Sequence, residues 1–218
     1  MKKEKKLNIL NDSFKSILII LSYFLLPYVI NSITKSQVIN GIIYLVYAVL
    51  LIVLYKDTFK KDFKDMKENK KDYIKKILLN TLLLIIVMAI TNAIINALFN
   101  INGTSENDYS LLNMFEKSPV VLILLTCIYY PIVEGIVFRK AIRDVIDKKW
   151  LFIVFSSLFY FFFNIVYTSM SFNNIMASVC YFFSMMILSN YYWKTNNFTS
   201  SVIILILYNI FVSILSFV

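Results

Sequence analysis

Apolar stretches of about 18 residues or more recur along this chain, at roughly 16–33, 38–55, 77–99, from Pro119 past Arg139, and at 150–168, 175–193 and 199–217. As a helix rising 1.5 Å per residue, a run of that length crosses the ~30 Å hydrocarbon layer of a bilayer. The runs are continuous rather than alternating, which excludes a transmembrane barrel. The reading is an all-α, polytopic transmembrane helix bundle of about seven spans. With 59% hydrophobic residues and a mean hydropathy of +0.71, an ordinary soluble domain is ruled out. The first run is long for the core of a secretory signal and lacks a small-residue cleavage site, so it is read as a span.

The net charge of +9 falls in the connections between spans. With the N-terminus inside, 20 of the 22 basic residues are cytoplasmic, leaving Lys35 and Lys117 outside. That asymmetry is what the positive-inside rule expects of a multi-pass membrane protein, and it puts the C-terminus outside. The charge therefore points to membrane lipid as partner rather than nucleic acid. Segment 56–76 holds nine lysines and five acidic residues. Phe59, Phe63, Met66 and Tyr73 recur in it at helical spacing, which predicts a basic amphipathic helix in the headgroup region, with a solvated charged loop as the alternative. Residues 1–118 form an N-terminal region of three spans with an outer loop at 100–118. Residues 119–218 form a core of four more.

One acidic residue, Glu134, falls inside a span, in the stretch Tyr129-Tyr130-Pro131-Ile132-Val133-Glu134-Gly135-Ile136-Val137-Phe138-Arg139. A charge at that depth costs about 2.5–3.5 kcal/mol on insertion scales, so it must face protein and defaults to a functional reading. Three helices of the core carry polar stripes: Thr126, Tyr130 and Glu134; Ser157, Tyr160, Asn164 and Tyr167; Asn209, Ser213 and Ser216. Polar groups facing acyl chains have no partners, so these faces are expected to meet around the carboxylate. In an α-helix a separation of five positions puts Glu134 and Arg139 on different faces, so a simple intrahelical salt bridge explains the glutamate poorly. Arg139 is then expected to tie its helix end to a neighbour or to snorkel. Asn92 and Asn96 read as interhelical hydrogen bonding. Cys127 and Cys180 read as small buried hydrophobes. The chain has no histidine, which removes imidazole bases and His-based zinc sites. No cofactor and no metal are expected.

The segment around Glu134 resembles the first motif, E-E-x-x-x-R, of the CPBP family of intramembrane proteases, which covers CAAX-processing and bacteriocin-related (Abi) proteins. The stretch from Ser156 to Asn164 is similar to that family's second motif, F-x-x-x-H. Asn209 to Ser213 is similar to its third, H-x-x-x-N/D. The resemblance covers about 119–218. It implies an intramembrane endopeptidase with Glu134 as the base that activates water. Arg139, Asn164 and Asn209 stand at its other catalytic positions, with Tyr160 and Ser213 lining the site. The chain departs at Gly135, where the second Glu would stand, at Tyr160, and at Asn164, Asn209 and Ser213.

An amide is not basic near neutral pH and cannot shuttle protons as imidazole does. Each lost acid–base group typically costs ~10²–10⁴ in rate. The expectation is a catalytically impaired relative acting in peptide or bacteriocin processing, immunity or surface-protein regulation, on a membrane peptide or a partner transmembrane helix. The other classes are a purely non-enzymatic binding or immunity protein and a small proton-coupled transporter using Glu134.

Overall fold

The computed structural model describes residues 2–34, 36–101, 119–166 and 168–215. The outer loop beyond Ile101, with Gly103, Glu106, Asp108 and Glu116, lies outside the described residues, as do Tyr167 and Ser216. Among the described residues every regular element is helical. We number them α1 (Lys2–Ile33), α2 (Gln37–Leu54), α3 (Lys56–Glu68), α4 (Lys70–Phe99), α5 (119–145), α6 (Lys149–Val166), α7 (Phe172–Thr195) and α8 (Phe198–Leu215). Five of them, α1, α4, α6, α7 and α8, are long and apolar enough to cross a membrane, or six if α2 and α3 form one bent span. All seven apolar stretches are helical, but α5 is built of short α and π pieces and does not count among those five or six. The chain is a multi-pass membrane protein.

Local chemistry sets several ends. Ser36 and Ser171 cap α2 and α7 by accepting from the amides of Ile39 and Asn174. Asn100 and Asn196 close α4 and α7 in the left-handed region, at φ 52° and 49°. Asparagine reaches that conformation more readily than most residues. Helix α5 is the hub. Val133, Ile136, Val137 and Ala141 are fully buried, and α1, α2, α6 and α8 pack around it.

The charged segment departs from its expected form. It is not one helix over 56–76: α3 stops at Glu68, a turn at Asn69 follows, and residues 70–76 become the first turns of α4. The side-chain amide of Asn69 turns back onto the carbonyl and carboxylate of Asp65, competing with the helical ladder there. Nor is the inner face of α3 only apolar, because Asp62 is 4% exposed. Its Oδ2 accepts from the amide (2.8 Å) and hydroxyl (3.0 Å) of Thr199, at the start of α8. Asn197 donates to the Asp62 carbonyl at 3.0 Å and to the Asp65 carboxylate at 3.2 Å. Tyr73 also donates to Asp65. Thus α3 is hydrogen-bonded to the bundle, while Phe63 keeps an exposed apolar face.

This latch has opposing pH responses. The Tyr73 hydroxyl, helped by Asn197, holds Asp65 below the usual carboxylate range. A carboxyl lowered by folding stabilises above its unfolded value and loses that stabilisation as pH falls through the folded one. Burial pushes Asp62 up, against the Thr199 hydrogen bonds. Its contribution is full below the ordinary carboxylate value and declines as pH rises through the raised one. Acidification below about pH 4, where free aspartate protonates, is therefore expected to loosen the Asp65 side of the latch. Hydrogen exchange of 56–68 should show faster opening in acid, and Asp65→Asn should flatten that response.

Candidate functional site

Two π-helical segments in α5, Leu125–Tyr129 and Gly135–Ala141, flank the short helix Tyr130–Glu134. The first has a cause in the sequence. Tyr130 donates its amide to the carbonyl of Leu125, five residues back. The next amide in that register belongs to Pro131, which has none. From across the bundle, the side-chain amide of Asn209 on α8 donates to the carbonyl of Thr126 at 2.6 Å. The second π segment is bound similarly by α6, where the hydroxyl of Ser156 donates to the carbonyl of Phe138.

Glu134 is 8% exposed and its Oε2 accepts from the Tyr160 hydroxyl at 3.0 Å. Tyr23, Tyr129 and Tyr130 also lie close enough to feel its charge. An aromatic cluster closes the α1 side: Tyr23 stacks on Phe163 at 4.6 Å, and Phe138 meets Tyr160 edge-on at 5.2 Å. Sequence reasoning found Tyr130 and Tyr160 through their stripes but missed Tyr23 and Tyr129. Tyr23 sits on a helix without a polar stripe, and Tyr129 lies on a neighbouring face of α5.

Arg139 is fully buried rather than snorkelling. A turn closed by i→i+5 bonds swings it toward the Glu134 side, where an α-helical count separates the two. They are within electrostatic reach of one another, yet none of the ion pairs among the described residues includes either. The Arg139 Nη1 faces the Met185 sulfur at 3.8 Å, and among the described residues Nε and Nη2 have no hydrogen-bond partner. Gly135 explains the crowding. A Cβ there would lie 2.8 Å from Arg139 Nη2, 2.8 Å from Val202 Cγ2 and 3.0 Å from Phe198 Cε2. The position of the second motif carboxylate is occupied by the guanidinium and by α8.

The other expected residues are placed as follows. Asn164 turns its amide onto the carbonyl of Tyr160, one turn back on its own helix, at 2.8 Å. Asn209 serves Thr126, two turns before Glu134. Ser213 approaches the Cys127 sulfur at 3.9 Å. The structure thus joins Tyr160 to Glu134 directly, and engages both asparagines with main-chain carbonyls. Among the described residues no group of three His, Cys, Asp or Glu side chains could hold a metal.

Residues 116–211 match the family of type II CAAX prenyl endopeptidase Rce1-like proteins. The match covers under half of the chain and marks this segment as similar to that family. The match runs from the start of α5 to within α8 and takes in Glu134, Arg139, Tyr160, Asn164 and Asn209. It bears out the CPBP resemblance read from the motifs. Neither a curated protein nor a solved structure matches the chain.

The role given to Asn209 in the Rce1-like segment has a direct test. Asn209→Ala is expected to cost about 0.5–1.5 kcal/mol by removing the interhelical hydrogen bond to the Thr126 carbonyl. In Pro131→Ala the amide returns and can take that carbonyl, so Asn209→Ala should then cost less. A double-mutant cycle on thermal unfolding in detergent measures the coupling. Additive effects would mean that the two residues do not share the Thr126 carbonyl.

Proposed function

We propose that this CPBP-type membrane protein binds a membrane peptide or a partner's transmembrane helix at the Glu134 centre and does not hydrolyse it by the family mechanism. The observation that carries this reading is the engagement of Asn164 and Asn209. The resemblance places acid–base groups at both positions, and here each side-chain amide donates to a main-chain carbonyl. Glu134 and Tyr160 keep a polar contact inside the bundle that a peptide backbone could enter. Such binding suits bacteriocin immunity or regulation of surface-protein processing. The ligand class that fits an Rce1-like segment is an apolar, membrane-embedded peptide end, in keeping with the prenylated substrates in the family's name. The basic connections favour a cytoplasmic N-terminus.

A second reading, a residual Glu134-dependent endopeptidase, is favoured by the buried Glu134–Tyr160 pair itself. The two part on a phenotype test in the native host. Under the binding reading, Glu134→Gln keeps function because a near-isosteric amide still accepts from Tyr160, whereas Tyr160→Phe leaves that group unpaired and weakens binding. Loss of function in Glu134→Gln, with protein level and Tm unchanged, would favour the protease.

A further inference from the structure

At the end of the bundle that carries the basic residues, three elements converge on a polar cleft of about 260 Å³. Helix α1 brings Asp12 and Lys15, the 71° bend between α2 and α3 brings Tyr55, Asp57 and Thr58, and the end of α5 brings Lys140 and Asp144. Two ammonium groups stand over one ring, Lys15 at 4.3 Å and Lys140 at 5.5 Å from the Tyr55 centroid. Lys15 also donates to the carbonyl of Leu54 at 2.9 Å, which fixes its head inside the cleft. Asp144 is already engaged by Lys140 and by Ser16. Asp12 and Asp57 are exposed.

The cleft thus offers ammonium donors and carboxylate acceptors together, with three acids to two bases. A simple anion would meet the carboxylates, and a simple cation would meet the lysines. A ligand bearing both a phosphate and a primary amine satisfies both sets, with the phosphate on Lys15 and Lys140 and the amine on Asp12 and Asp57. The surroundings say where that ligand comes from. Ile17 and Leu18 on α1, and Leu50 and Val53 on α2, are each 45–57% exposed and lead from the apolar flank to the cleft. Acyl chains can lie along them while the headgroup sits among the charges.

We infer that this cleft is a binding site for an amine-bearing phospholipid headgroup of the phosphatidylethanolamine type. The site is separate from the Glu134 centre and does not depend on the reading of that centre. An occupant there would tie α1, the α2–α3 bend and the end of α5 together.

The test is native mass spectrometry of the full chain released from micelles doped with phosphatidylethanolamine, phosphatidylcholine or phosphatidylglycerol. One phosphatidylethanolamine is expected to be retained about tenfold more strongly than phosphatidylcholine, whose quaternary amine cannot donate hydrogen bonds. Lys15→Gln with Asp57→Asn should abolish the preference, and Lys75→Gln, outside the cleft, should not. Thr58→Trp, which only fills the space, carries the same prediction if the double variant does not fold. Equal retention of the three lipids overturns the inference, as does a preference for phosphatidylglycerol, the result of a merely basic surface. Displacement of the lipid by inorganic phosphate would show a soluble-anion site instead. A preference that survives both cleft variants would place the lipid elsewhere.

Discussion

Gly135→Ala is expected to destabilise the bundle by about 1–3 kcal/mol, and Gly135→Glu by more. A Cβ at this position meets three side chains at or inside 3.0 Å. The Arg139 head can rotate aside, but Val202 and Phe198 belong to the packed face of α8 and cannot move without shifting that helix. Restoring the second acid of the resembled motif is therefore expected to damage the fold rather than to recover chemistry, even though a Glu there would sit one turn from Arg139. Thermal unfolding in detergent measures the loss. Val202→Ala beside Gly135→Ala should recover part of it by removing one of the stiff contacts. A Gly135→Ala protein as stable as the parent would show that α8 does not press on α5 at this point.

Asp62→Ala is expected to cost about 1–3 kcal/mol for each of the two Thr199 donors it leaves buried and unsatisfied. The acid does the work of a helix N-cap from another helix, because the first amides of α8 have no partner in their own ladder. It also lies where the positive end of the helix dipole favours an acceptor. Asp62→Asn keeps one oxygen acceptor and should recover much of the loss, whereas Asp62→Leu, which fills the space without accepting, should not. The readout is hydrogen exchange at the first turn of α8 together with Tm. Equal Tm for the Asn and Leu variants would mean that the space is filled but the hydrogen bonds carry no weight.

What the sequence disclosed follows from which physical signals leave a trace in it. Apolar run length is one, and the helices stand where the runs stand, although α5 is broken and length alone supports five or six crossings. The lone acid at Glu134 and the stripe holding Tyr160 were legible because polar groups in lipid must find one another. The π segments were not. The polar stripe of α5 keeps an α-helical spacing and apolar residues fill its other faces, so the pattern does not report the wider turns. Only Pro131 hinted that a carbonyl could accept from outside the helix. The expectation that Glu134 and Arg139 form no simple salt bridge agrees with the ion pairs among the described residues, but the wider turn between them was not legible. The burial of Asp62 was hidden by its setting among lysines, where an acid ordinarily faces water. The break at Asn69 was hidden because the same mixture of Lys and Asp continues on both sides of it.

We propose that a buried carboxylate held by a tyrosine, in a segment whose two motif amides each donate to a main-chain carbonyl, binds without cutting. The most direct measurement incubates the purified chain in liposomes with an apolar reporter peptide and follows cleavage products by mass spectrometry. Glu134→Gln is run in parallel. Peptide is expected to bind both proteins, with no product that depends on Glu134. Product formed by the parent chain and lost in Glu134→Gln would contradict it.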